Sequence, residues 1–515
     1  MELALAGIRN TVGLATESIK NGVKDFGAYM KSTDLETIGS DARDAWLLRK
    51  TMAAMYSASA KEFLSRFPAL IRSNPQNILA FRKYPWLANY ADMATYFDAV
   101  KGRKGPYREA ILAVLREIPK ASLEFVLDVL EHPERVVHVQ SGALMLTEIL
   151  RSMNLVPFMD MAPPVSSVIQ KPHSMEAYMD FAESEGIPAD ACSLARSAQG
   201  ILFKGHAPDA GAIIGNNGCE GQVNSVILYQ KMLKLPTFVL DMPNRYQTER
   251  AQEWFSKELL RMVQWFEENT PGKMDWEHLR ELCEEKNRMV ELEMELWEMT
   301  RLRPAPMAGE AIYLAHLLCT NLLCGTKAAT ALFQKLVELT RQNLKKGVSA
   351  VPDERYRALL WHPGNTAFWH VNRYLELKWG VATVQEALTY NTLGFIDTSS
   401  RETMLKDLAK QLLNTPMTNI ARGPSEYYLD TLLFVCEAWD IDMVVVTDHI
   451  GCKSTSAMKG ILREVCRERG IPVCFLPVDI MDPRVVSKEQ TMHTVDQFME
   501  TVMNAKPLRE QVPGI

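Results

Sequence analysis

Apolar residues recur three and four positions apart through the first 134 residues, in segments such as AWLLRKTMAAMYSASAKEFLSRF (45–67) and YREAILAVLREIPKASLEFVLDVLEH (107–132). That spacing lines one face of a helix, so residues 1–134 read as a helical N-terminal domain. From about residue 135 the pattern changes to short apolar runs that end in turn residues and alternate with helix-period stretches. DAGAIIGNNG (209–218), PTFVLDMP (236–243), YRALLWHPG (356–364), DMVVVTDHIG (442–451) and IPVCFLPVD (471–479) each have the length of a buried strand. Strands alternating with amphipathic helices predict parallel sheets covered on both faces, an α/β class of doubly wound, flavodoxin-like or Rossmann-like lobes. A long charged helical insertion, including WEHLRELCEEKNRMVELEMELWEMTRL (276–302), separates the two groups of strands. Two lobes follow, residues 135–350 with the insertion and residues 351–515, divided at the polar stretch KKGVSAVPDE (345–354).

Composition narrows the function classes. The 515 residues exceed what one core usually organises. With 57 basic and 63 acidic residues and no long basic run, nucleic acid is not an expected partner. No stretch has the roughly 18 consecutive apolar residues of a membrane span. The first twenty residues lack the charged and apolar regions of a secretion signal, so a cytoplasmic protein is expected. Nine cysteines, spread thinly and odd in number, disfavour a disulfide framework.

Three of those cysteines stand where a strand or turn gives way to a helix: Cys192 in DACSLAR, Cys219 in NNGCEG and Cys452 in DHIGCKS. Functional loops of doubly wound sheets lie at the strands' carboxyl ends, and thiolates placed there can converge on one iron-sulfur cluster despite their distance in sequence. Glycines beside Cys219 and Cys452 would let amides approach sulfur and leave room for a bulky inorganic core. Three thiolates would leave one iron of a 4Fe-4S cluster open to substrate, water or hydroxide. Zinc, completed by His206, His362 or His449, is the other metal such a set could hold, although no CxxC pair is present. Cys283, Cys319, Cys324, Cys436, Cys466 and Cys474 read as buried apolar fillers on helix faces or within the strand IPVCFLP.

From about residue 137 onward the chain resembles the 2-hydroxyacyl-CoA dehydratase and benzoyl-CoA reductase family, most closely its larger, alpha-type subunits. The resembling segments, in order, are HVQSGALMLTEILRSMNLVPF, DACSLARSAQG, IIGNNGCEGQVNSVILYQKMLKLPTFVLDMP, RPAPMAGE, RALLWHPGNTAFWHVNRYLE and VVVTDHIGCKSTSAMKGILREVCRERGIPVCFLPVDIMDPR. The resemblance implies a 4Fe-4S cluster held by Cys192, Cys219 and Cys452, a smaller homologous subunit as heterodimer partner, and an acyl-CoA substrate. It further implies a separate ATP-dependent iron-sulfur activator that injects one electron at very low potential.

That electron has a chemical purpose. The β-proton of a 2-hydroxyacyl thioester is unactivated, but a ketyl radical anion made at the thioester carbonyl can expel the α-hydroxyl and acidify it. The electron then returns and an enoyl-CoA remains. In the reductase branch electrons instead stay on an aromatic ring. A non-catalytic, cluster-bearing or scaffold subunit is a third reading.

Other site residues follow from position. Ser141 and Glu148 lie in the segment matching the family's loop and helix that approach the open iron and the substrate. The family commonly has proline two residues before the acidic position; here that residue is Leu146, so Glu148 reads either as catalytic or as a solvated helix residue. His449 and Lys453 flank Cys452 and either donate to cluster sulfides or a thioester oxygen, or stand in water. Asn217, beside Asn216, reads as substrate-binding or as a turn former. Asn365, Trp369 and His370 follow a strand end where the family lines its substrate pocket, with Trp369 alternatively a core residue. Asp482 and Arg484, in MDPRVVSKEQ, read as structural.

Overall fold

The computed structural model describes residues 80–91, 105–140, 147–245, 247–361, 370–386, 393–415 and 423–512, with single positions between and before these ranges. Ser141, His362, Asn365 and Trp369 and most of the segment 45–67 lie outside the described residues, and of His370 only the backbone is described.

The helical period of 107–132 forms α1, Gly105–Glu131. A tight 3-10 turn then leads into β1, Val136–Gln140. After it come α2 (Thr147–Ser152), β2 (Val156–Met159), α3 (Ala162–Gln170), α4 (Glu176–Ser184) and α5 (Ser193–Phe203). Next are β3 (Ala212–Asn216), α6 (Glu220–Leu233) and β4 (Thr237–Leu240). The four strands pair in parallel in the order β2-β1-β3-β4. The insertion is four helices: α7 (Glu249–Asn269), α8 (Trp276–Met299), α9 (Gly309–Asn321) and α10 (Lys327–Lys346). Side chains of Thr248, Asp275 and Thr326 accept amide N–H bonds at the starts of α7, α8 and α10, which is why these segments begin where they do.

The second sheet repeats the plan. It runs through β5 (Tyr356–Trp361), α11 (His370–Tyr374) with the π-turn Leu375–Trp379, β6 (Val381–Glu386), α12 (Arg401–Leu413) and α13 (Ser425–Ala438). It closes with β7 (Met443–His449), α14 (Lys453–Glu468), β8 (Val473–Val478) and α15 (Lys488–Thr501). Its order, β6-β5-β7-β8, is again all parallel. Two doubly wound parallel sheets are therefore present. In each, strand order reverses between the first and third strands, where ligand crevices open at the carboxyl ends. Three strands escape the sequence reading: β1, β2 and β6.

The lobes share core. One apolar cluster joins Val136, Val156 and Phe158 of the first sheet to Ala358, Leu360, Val445 and Leu476 of the second. Another joins Ala110, Ile111 and Val114 of α1 to insertion helices and to Leu359, Trp361 and Val446. Burial of each valine, leucine, isoleucine or phenylalanine among them contributes about 1.5–3 kcal/mol, so α1 and the insertion hold the second sheet in place rather than decorating it.

Candidate functional site: three thiols at three helix starts

Cys192, Cys219 and Cys452 are the residues immediately preceding α5, α6 and α14. Each is half-buried and outside any disulfide. Cysteine is a poor helix cap, and none of the three makes a side-chain capping bond. The first amides of each helix are thus left for sulfur, with the positive end of the helix dipole behind them. Cys219 and Cys452 hold matching places: each stands three residues past the third strand of its sheet, at the reversal of strand order.

The three thiols sense one another. Burial pushes the Cys192 thiol up to about 12, with the neighbouring Cys219 and Cys452 adding to the rise while the Ala195 and Leu194 amides oppose it. Burial likewise pushes Cys219 up to about 11, opposed by the Gln222 and Gly221 amides and reinforced by Cys452. A cationic centre would have to offset this cost, and it would release the protons on binding. Cys452 Sγ receives the Thr455 hydroxyl at 3.2 Å and lies 3.2 Å from Ser454 Oγ.

The segment carrying Cys192 belongs to the first lobe in sequence but docks on the second. A Cβ on Gly451 would lie 2.7 Å from Cys192 Cα and 2.9 Å from the Ala191 carbonyl oxygen. The space beside Gly451 is therefore filled by protein backbone, which corrects the expectation that it admits the inorganic core. Gly218 is similar, crowded by Gln222 Oε1 and Asn216 Oδ1. Lys453 ties the same segment down, donating to the Asp190 carbonyl at 3.0 Å and to its carboxylate at 2.6 Å. Ser193 Oγ donates to Asp479 Oδ1, just past β8.

His449 is not a loop residue in water. It ends β7, is 1 % exposed, and its Nε2 lies 3.5 Å from Cys192 Sγ. Lys453 does face water, in an exposed ion pair. Asn216 Oδ1 accepts the Gly218 amide at 2.8 Å, a local turn, while Asn217 bridges to Asp241 and accepts the Met242 amide at 2.8 Å. Both asparagines thus shape the turn before Cys219. Arg484 forks onto Asp482 and reaches Asp180, a structural role as expected.

Glu148 corrects the solvated alternative. Its side chain is fully buried and paired with Lys286 of α8, and Cys324 donates its S–H to Oε1 at 2.9 Å. Burial raises its pKa, but the Lys286 charge and the Cys324 bond outweigh it and leave the carboxyl below the usual range. Cys324 sits in the turn after α9 rather than on a helix face, and it serves as a donor rather than as filler. The other five remaining cysteines are buried as expected.

Sequence reading missed Asp479, an acid directly after an apolar strand, and Ser193. It also missed the buried set at the first sheet's carboxyl edge, where His138 Nδ1 meets Asp160 Oδ1 at 2.7 Å and Gln140 donates to Asp160. Of the zinc alternative's histidines, His206 bonds Tyr178 and, among the described residues, His449 lies near a site thiol. Among the described residues no three or more His, Cys, Asp or Glu gather as they would around a single metal ion. No helix among them is long and apolar enough to cross a membrane.

Comparison with known proteins identifies relatives of the chain. The chain is 21 % identical over 353 residues to the alpha subunit of lactoyl-CoA dehydratase from Anaerotignum propionicum, covering 62 % of this chain and 81 % of that one. It is also 21 % identical over 347 residues to a benzoyl-CoA reductase subunit from Thauera aromatica, covering 62 % and 78 %. The profile of the 2-hydroxyglutaryl-CoA dehydratase D-component matches residues 144–502, a span that takes in all three helix-start cysteines and every strand of the two sheets except β1, and the chain belongs to that family.

Proposed function

We propose that this chain is the cluster-bearing subunit of an ATP-activated radical dehydratase that removes water from a 2-hydroxyacyl-CoA. Cys192, Cys219 and Cys452 would hold a 4Fe-4S cluster, which supplies one-electron chemistry when bound. The single observation carrying this is three thiols at three helix starts, outside any disulfide and near enough to influence one another, two of them at equivalent reversal points of the two sheets. The donor set suits such a group. Thiolates are the usual ligands of iron-sulfur clusters, and a zinc ion needs its ligands about 2.0–2.3 Å from one point, a tighter gathering than these residues make.

The chain's own residues supply position and field. The first amides of α5 and α6 favour negative charge on the neighbouring sulfurs. The docking of Cys192 against Gly451 joins the lobes at the site. Lys453 at the rim is a cation available to a thioester or CoA oxygen once it leaves Asp190. A smaller homologous subunit, an ATP-dependent activator and a cytoplasmic setting complete the reading. A reductase subunit is the second reading, favoured by a reductase relative at the same 21 % identity as the dehydratase one.

The test begins with anaerobic reconstitution and iron and sulfide analysis, with Cys219→Ser expected to lose most of the cluster absorption. Colourless protein with stoichiometric zinc would end the proposal. Activated enzyme given a thioester panel then separates the branches: catalytic loss of water after one electron marks the dehydratase, and ATP consumed with every electron pair marks the reductase.

A further inference from the structure

Two of the contacts of His449 bear on where its proton sits. The Ile480 amide points at Nδ1 at 3.4 Å, and an amide can only donate, so Nδ1 is the acceptor. The ring's proton therefore sits on Nε2, which faces Cys192 Sγ at 3.5 Å, within reach of an N–H···S bond. Asp479 is the group that would draw the proton to Nδ1 instead. Its Oδ2 stands 4.0 Å away, beyond hydrogen-bond distance, while Oδ1 is occupied by the Ser193 hydroxyl and the Met481 and Asp482 amides at 2.9 and 3.0 Å. The carboxylate that could reverse the ring is thus tied to the residue next to Cys192.

The result is a closed circuit of contacts. Cys192 meets His449, His449 meets the 479–482 turn, and that turn returns through Asp479 to Ser193. With the ring 1 % exposed, water does not compete for its N–H. Cys192 is thus a sulfur with an aromatic N–H donor beside it.

We infer that His449 is a positioning residue that locks Cys192 and, by donating Nε2–H to its sulfur, raises the reduction potential of the cluster proposed above. The inference rests on that reading. A hydrogen bond to a ligand sulfur withdraws electron density and stabilises the reduced form, so losing it shifts the potential negative.

The experiment uses the full chain labelled with 15N-histidine, reconstituted anaerobically with iron and sulfide and reduced with titanium(III) citrate. Pulsed EPR of the reduced cluster should show a weak 15N coupling that His449→Leu and His449→Gln both abolish. An EPR-monitored redox titration should place His449→Leu negative of wild type at equal iron content. His449→Gln, whose amide N–H reaches the same sulfur, should return most of the way. A wild-type cluster with no 15N coupling, or a His449→Leu cluster with unchanged potential, overturns the inference and leaves the cluster reading intact. A wild-type chain that takes up no iron overturns the cluster reading itself. Should His449→Leu fail to hold iron, the wild-type coupling and its loss in His449→Gln decide.

Discussion

Lys286 of α8 and Glu148 of α2 form an ion pair buried at 4 % and 0 % side-chain exposure, joining the insertion to the corner that follows β1. Replacing one partner leaves the other as an uncompensated buried charge, which typically costs about 3–5 kcal/mol. Lys286→Met should lose stability of that order in denaturant titrations. The double variant Lys286→Met with Glu148→Gln should recover a large part of it. Additive losses would mean that the two groups are not coupled in solution.

The Tyr107 hydroxyl lies 2.8 Å from Glu310 Oε2 and 2.7 Å from Glu376 Oε1, with Arg103 bonded to both carboxyls. One hydroxyl proton cannot serve two acceptors, so one carboxyl carries its own proton. Burial pushes Glu376 up to about 7 against the opposing charge of Arg103, and Glu310 adds to the rise. The folded state then binds this proton more tightly than the unfolded chain does. Its contribution is complete below about pH 4.5 and is lost as pH climbs to about 7. Glu376→Gln should flatten that part of the stability profile, measured as denaturation midpoints from pH 5 to 8. An unaltered slope would refute the shared-proton arrangement.

Gly451→Ala places a methyl 2.7 Å from Cys192 Cα, against backbone that cannot swing aside. The expected loss is about 1–3 kcal/mol, the usual cost of overpacking, together with reduced iron uptake on reconstitution. A variant with wild-type iron content and melting temperature would show that the two segments are not in contact.

Lys453 and Asp190 are 47 % and 70 % exposed. Lys453→Met should therefore change stability by no more than ~0.5 kcal/mol, while weakening thioester binding if the lysine turns to substrate. A melting temperature lowered by many degrees would contradict the exposed setting.

Five strands were legible because apolar runs ended in glycine, proline or asparagine, as in AIIGNNG before Cys219 and VVVTDHIG before Cys452. The helix-start positions of the three cysteines followed from the same punctuation. β1 was hidden because His138 and Gln140 interrupt VVHVQ, and only the fold reveals Asp160 as their buried partner. β2 is four residues with a proline, tolerable on an edge strand but weak as a signal. β6 carries Thr383, Gln385 and Glu386 into full burial, against the usual habit of polar residues. The partners of Glu148 and His449 come from α8 and from the turn after β8, and no local pattern announces pairings across such separations.

The helix that leads into β7 begins after Pro424, where its counterpart before β3 begins after Cys192. Two anchor points are thus duplicated between the halves and the third is not. A guest gripped by all three would have a front and a back, so the duplicated plan of the two halves would not carry over into the site they share.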